Sequence, residues 1–83
     1  MTYTVYILRT SANTLYTGQT NDLEKRLTQH RKKNYESAKY LKAFNSFALV
    51  YTEECATKSE ALKREWEIKQ LPKSKKEALI NGL

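Results

Sequence analysis

One short segment limits the folds open to this chain more than any other, the run Tyr3 to Arg9, YTVYILR. On a strand with a side-chain period of two, Tyr3, Val5 and Ile7 share one face and Tyr6 and Leu8 the other, so both faces carry apolar groups. Such a strand is expected at the centre of a sheet, with a packed layer on each side. The chain has 83 residues, which is room for one domain over 1–83. A domain of this size buries only about 60% of its unfolded surface, so each layer must be thin.

The remaining elements follow from local signals. Thr14 to Gly18 reads as a second strand, joined to the first by a polar hairpin loop in which Asn13 tolerates a left-handed conformation. Asn21 with Glu24 makes a capping-box pattern for a first helix, whose Leu23 and Leu27 form a stripe running to about Lys33. Asn34 to Ser46 has no clean period and reads as a loop. Phe47 to Thr52 alternates Phe47, Leu49 and Tyr51 against Ala48 and Val50, a third strand expected to be covered on both sides. Thr57 with Glu60 caps a second helix to about Gln70, and Pro72 ends it. Ser74 with Glu77 repeats the signal for a short last helix closed by Gly82. The order is ββαβαα, and the expected fold class is α/β (α+β), a small three-stranded sheet flanked by helices.

Composition removes several functions. No apolar run approaches the ~18 residues of a membrane helix. The opening MTYTVYILRTS has no basic start, long apolar core or small-residue cleavage site, so no secretory signal is expected. A single cysteine, Cys55, and a single histidine leave no intrachain disulfide or zinc cluster and fit a reducing, cytoplasmic setting. The net charge of +6 is unevenly spread. The stretch Lys25 to Lys42 holds Lys25, Arg26, Arg31, Lys32, Lys33, Lys39 and Lys42 against Glu36 alone, and Lys69 to Lys76 adds lysines without an acid. Basic zones on an otherwise acidic background suggest a polyanion-binding face, and Tyr35, Tyr40 and Phe44 among them offer bases a stacking surface.

Three constellations stand out. An odd hairpin loop such as Ser11 to Asn13 would put Tyr6 opposite Gly18 and close to Tyr16, both rings on one face, either as a packed aromatic pair or as two converging phenols. Gly18 marks a position where bulk is unwanted. Arg26 and His30 stand one helical turn apart beside the leucine stripe, placed to grip a phosphate and to donate or move a proton, or simply to be solvated. Glu65 falls in the middle of the second helix's apolar stripe, with Ala61, Leu62 and Ile68 around it. A carboxylate there calls for a cation, either Lys69 four residues on or a metal ion.

Taken together, TVYIL, LYTGQT, RLTQH, the glutamate of ALKREWEIKQL and the ending IKQL…KKEALI resemble, in order and spacing, the GIY-YIG nuclease superfamily. The AKYL and LVYTEE strings resemble its small stand-alone UPF0213 type. The resemblance implies an antiparallel three-stranded sheet and an endonuclease dependent on Mg²⁺ or Mn²⁺ that hydrolyses phosphodiester bonds in nucleic acid. DNA is expected ahead of RNA, in repair or structure-specific processing, with little sequence specificity. By position, Tyr6 is the tyrosine of GIY, with Thr4 in place of the glycine, and Tyr16, Thr17 and Gly18 stand for YIG. Arg26, His30 and Glu65 match the family's arginine, histidine and metal-binding glutamate, while Asn81 is an uncertain counterpart of a distal asparagine. Lys32, Lys33, Lys39, Lys42 and Lys69 are the expected nucleic-acid contacts. A non-catalytic nucleic-acid-binding module on the same fold, and a protein-interaction domain with a basic face, are the alternatives.

Overall fold

The computed structural model describes residues 2–32 and 46–82, and in the first helix the side chains of His30 and Lys32 lie outside that description. Lys33, Lys39 and Lys42, and residues 34–45 of the stretch read as a loop, also fall outside it. Strand β1 (Tyr3–Thr10) runs between β2 (Leu15–Thr20) and β3 (Phe47–Cys55) in an antiparallel sheet of order β2-β1-β3. Helix α1 (Leu23–Lys32) follows β2, and α2 (Lys58–Gln70) and α3 (Lys73–Ile80) follow β3. This is the ββαβαα α+β fold expected from the sequence.

Val5, Tyr6, Ile7 and Leu8 are all fully buried, which makes β1 the centre of two thin cores. On one face Val5 and Ile7 pack with Ala61 and Ile68 of α2 and with Leu79 and Ile80 of α3. On the other, Tyr6 and Leu8 pack with Leu23 and Leu27 of α1 and with Tyr16 and Phe47. An alternating strand cannot be satisfied by one layer, so the helices are divided between the two sides.

The hairpin settles the register. Asn13 N–H donates to Thr10 O and Thr10 N–H to Thr14 O, both at 2.9 Å, and Asn13 has φ 62°. That is a three-residue loop, Ser11 to Asn13, ending on a left-handed residue. Its odd length sets Tyr6 opposite Gly18 and Leu8 opposite Tyr16. The Tyr6 ring therefore lies across Gly18, where an added Cβ would stand 2.6 Å from the phenol oxygen.

Four local expectations are corrected. Helix α1 is capped by Asp22, whose Oδ1 accepts from Lys25 N–H at 3.1 Å, not by Asn21, because Thr20 Oγ1 accepts from the Asp22 N–H and fixes the turn one residue later. Helix α3 begins at Lys73 with Pro72 as its cap, ahead of Ser74. Glu77 does not close a capping box there and instead forms a two-pronged ion pair with Arg9, at 2.7 and 2.6 Å. Strand β3 continues to Cys55, and its register shifts so that Ile7 faces Tyr51 while Leu8 faces Leu49. The extra residue, Val50, moves Tyr51 to the α2 side while Phe47 stays with α1, so the simple alternation fails. As an edge strand β3 is not covered on both sides: Ala48 is exposed, and Leu49 is 41% exposed.

Helix α2 starts as the sequence indicates. Thr57 Oγ1 accepts from Glu60 N–H at 3.1 Å, while Glu60 reaches back to Ala56 N–H. Arg64 Nε donates to Glu53 Oε2 of β3 at 2.8 Å, and the Tyr51 hydroxyl donates to the same oxygen at 3.0 Å. This anchor fixes the roll of the helix. Adjacent helical side chains differ by about 100°, so with Arg64 turned to β3, Glu65 is turned toward β2.

The contact of Tyr6 with Gly18 gives the first prediction. Gly18→Ala should cost about 1–3 kcal/mol through overpacking, read as a lower urea midpoint with an unchanged m-value. A midpoint equal to the wild type would show that the Tyr6 ring is free to move off Gly18.

Candidate active site

The site grows from the edge of β2, where side chains from both faces of the sheet meet. Tyr6 and Tyr16 are diagonal neighbours on the α1 face, with ring centroids 6.5 Å apart and planes tilted by 39°. Because Gly18 has no side chain, the Tyr6 phenol extends outward over β2 toward that edge. Arg26 of α1 hydrogen-bonds to Tyr6, and the charge of Glu65, from α2 beneath the sheet, also acts on it. Tyr6, Tyr16, Arg26 and Glu65 are thus gathered into one neighbourhood from two strands and two helices.

Glu65 differs from expectation in one respect. Ala61 and Ile68 are fully buried but Leu62 is 46% exposed, so the apolar stripe of α2 is narrower than the sequence suggests. Glu65 stands at its border, 19% exposed, with Lys69 Nζ 2.8 Å from its Oε2. A carboxylate this withdrawn from water calls for a cation beside it, and Lys69 is the one in contact. Among the described residues no three His, Cys, Asp or Glu side chains group together. A hard divalent ion held by one carboxylate, completing its shell with water and substrate phosphate, is compatible with that donor set.

The phenols are not equivalent. Tyr6 is fully buried, and its pKa is pushed well above the ordinary 10.0, chiefly by burial and then by Tyr16, with Glu65 adding to the rise and Arg26 opposing it. Desolvation therefore outweighs Arg26, and at neutral pH Tyr6 is an O–H donor. Tyr16 is half-buried and lines an open cleft of about 310 Å³ with Leu15, Thr17, Lys69 and Lys76.

A second depression wraps the other end of β2, lined by Tyr3, Gln19, Thr20, Asn21, Arg26 and Lys58, and here too α1 and α2 contribute to one wall. Gln19 Oε1 is buried there with no hydrogen-bond partner among the described residues. Lys25 lines an adjoining hollow with Arg26 and Asp22. Lys58, Lys76 and Gln19 were not singled out by the sequence. Lys76 belonged to the second basic zone, whereas nothing local marked Lys58 or Gln19, which are brought in by the sheet register and the roll of α2. His30 has its backbone in α1, Lys69 lies at the cleft, and Asn81 caps α3 with its N–H on Glu77 O and Leu79 O.

Comparison with known proteins shows the family. A family model described as the GIY-YIG catalytic domain matches residues 2–78, and the chain belongs to that family. Within it the similarity is to UPF0213 proteins. The chain is 47% identical over 77 residues to one from Staphylococcus saprophyticus, covering 93% of this chain and 92% of that one. It is 41% identical over 76 residues to one from Halobacterium salinarum, covering 92% and 96%. The solution NMR structure of a UPF0213 protein from Bacillus halodurans superposes with a TM-score of 0.62 at 37% identity, covering 98% of this chain and 84% of that one. Membership makes nuclease chemistry on nucleic acid the activity the domain implies. No described helix is long and apolar enough to cross a membrane.

The raised Tyr6 pKa has a measurable sign. A phenol whose folded pKa lies above its unfolded 10.0 contributes fully to stability below that pH. The contribution is lost as pH rises from there toward the folded value. Melting temperature should fall more steeply above pH 10.0 in the wild type than in Tyr6→Phe. Parallel curves would place the Tyr6 hydroxyl in contact with solvent.

Proposed function

We propose that this protein is a divalent-metal-dependent endonuclease that hydrolyses phosphodiester bonds in DNA, with little sequence specificity. The observation that carries the reading is the meeting, round the edge of β2, of Arg26 and two phenols from one side of the sheet with Glu65 from the other. A phosphodiester needs those groups together: a cationic fork for the non-bridging oxygens, a proton acceptor for the attacking water, and a carboxylate able to hold a metal beside the leaving oxygen.

The residues divide the work by position. Arg26 holds the scissile phosphate and its growing negative charge. Glu65 would hold Mg²⁺ or Mn²⁺, which when bound would supply charge stabilisation to the reacting phosphate. Lys69 gives up its place on Glu65 and turns its ammonium to a backbone phosphate. Tyr16, open to the cleft and acting as its phenolate, takes the proton of the attacking water to become the phenol, while Tyr6, protonated and held by Arg26, donates a hydrogen bond to the reacting centre. Water oxygen bonds to phosphorus as the bond to the leaving sugar oxygen breaks. His30, one turn beyond Arg26 on α1, helps to position the phosphate or protonate the leaving group. Lys25, Lys58 and Lys76, with Lys32, Lys33, Lys39 and Lys42 of the basic block, hold flanking phosphates. Arginine and lysine contacts to phosphate recognise backbone and shape before sequence.

Cleavage of branched, flapped, nicked and single-stranded DNA with Mg²⁺ or Mn²⁺ tests this directly. Glu65→Gln should remove metal-dependent cleavage yet keep nucleic-acid binding and a melting temperature near the wild type, because the Lys69 pair it breaks is worth only about 0.2–0.5 kcal/mol. Tyr16→Phe should lose roughly 10² to 10⁴ in rate, and Arg26→Ala at least as much. Wild-type cleavage by Glu65→Gln would reduce Glu65 to a structural partner of Lys69. Binding without cleavage on every substrate would make the protein a non-catalytic module.

Binding should also weaken steeply with salt, since lysine and arginine contacts to phosphate release counterions. Neutralising Lys32, Lys33, Lys39 and Lys42 together should flatten the slope of log K against log salt. An unchanged slope would confine the binding face to the lysines around β2.

A further inference from the structure

Trp66 is the only tryptophan in the chain, and it is 64% exposed on α2 directly after Glu65. Burial does not explain it. Leu62, one turn earlier on the same flank, is also 46% exposed. The anchoring pair of Arg64 with Glu53 turns the opposite flank of α2 toward β3. Trp66 and Leu62 therefore stand on the side that continues outward from Glu65, past the edge of β2.

The surroundings of Trp66 select its partner. The positions three before and three after it are Lys63 and Lys69, and the position four after is Gln70, all exposed. Glu67 is drawn to Arg64 on the far flank, with 3.6 Å between Nη1 and Oε1. An indole between lysines, with no acid on its flank among the described residues except Glu65 in the site, matches a ligand that is flat and apolar on its face and anionic along its backbone. Two apolar side chains fall far short of the roughly 800 Å² per partner that a stable protein interface buries, but one indole suffices for one base. Lys69 belongs to both places, since it touches Glu65 and lines the cleft with Tyr16.

We infer that Trp66, with Leu62 as its apolar rim, is a stacking platform for an unpaired base of the DNA strand next to the scissile phosphate, with Lys63 and Lys69 holding the phosphates on either side. The inference rests on the nuclease reading and adds a substrate class to it: DNA with an unpaired base beside the cut, as at a flap, a branch or a single strand.

The sole tryptophan is its own reporter. A short single-stranded oligothymidylate should quench Trp66 fluorescence strongly, and a blunt duplex of equal length should quench it little. End-labelled probes followed by anisotropy should show Trp66→Ala losing roughly fivefold to a hundredfold in affinity for the single strand, so that the ratio of single-strand to duplex affinity falls. Trp66→Phe, which keeps an aromatic face, should recover most of the loss. Single-strand binding by anisotropy without quenching, or with an unchanged ratio in Trp66→Ala, overturns the platform while leaving the nuclease reading intact. Quenching by the RNA counterpart alone overturns the assignment to DNA. Concentration-dependent dimerisation by sedimentation, abolished in Trp66→Ala, gives the patch to a second copy of the chain and overturns the inference. Absence of binding to any probe overturns it together with the proposed function.

Discussion

Every side chain from Val5 to Leu8 is withdrawn from water, alternately to one face of β1 and the other. The placement of the site residues follows from that burial. A strand with no solvent face must lie between two others and carry helices on both sides, so α1 is committed to one layer and α2 with α3 to the other. Two helices on opposite faces can bring side chains together only by reaching round an edge. The edge of β2 permits this because Gly18 leaves space for the Tyr6 ring to lie across it. A central strand buried for stability thus delivers its own phenol to a site at the margin of the sheet.

Alignment at that margin depends on ion pairs remote from the chemistry. Arg64 on Glu53 sets the roll of α2 and, one residue on, aims Glu65 at β2. Arg9, gripped by both oxygens of Glu77, ties α3 to the sheet at the hairpin end, and the arginine keeps the Glu77 carboxyl below its usual range. Both pairs are partly exposed, so each contributes modestly to stability. Their weight lies in orientation. Within the site, desolvation of Tyr6 prevails over Arg26, which separates two chemically identical phenols into a buried donor and a cleft-facing partner.

Much of this was legible in the sequence, for identifiable reasons. Alternation in YTVYIL marked the central strand, and an odd hairpin loop put Tyr6 and Tyr16 on one face because side-chain direction depends only on parity. The glutamate beside the apolar stripe of α2 called for a cation, either Lys69 or a metal ion, and Lys69 lies 2.8 Å from it. Less was legible where competing local groups decide the outcome. Thr20 takes the Asp22 N–H and so moves the cap off Asn21. Glu77 carries a capping signal for α3 but is claimed by Arg9, distant in sequence. The extra residue Val50 reverses faces along β3, which no periodicity of Phe47 to Thr52 foretells. The pKa of Tyr6 depends on how deeply two helices bury it, and that is a property of packing alone.

The central proposal is that a divalent cation on Glu65 would sit at the edge of β2, beside phenols that belong to the opposite face of the sheet. Paramagnetic broadening of amide signals by substoichiometric Mn²⁺ in ¹⁵N-labelled protein tests it most directly, since the effect falls steeply with distance from the bound ion. The account predicts the strongest broadening at Glu65 and at Tyr16 to Gly18, elements distant in sequence that share only that edge. Broadening centred instead on Glu53 and Glu54 of β3, or on Glu60 at the start of α2, would contradict it.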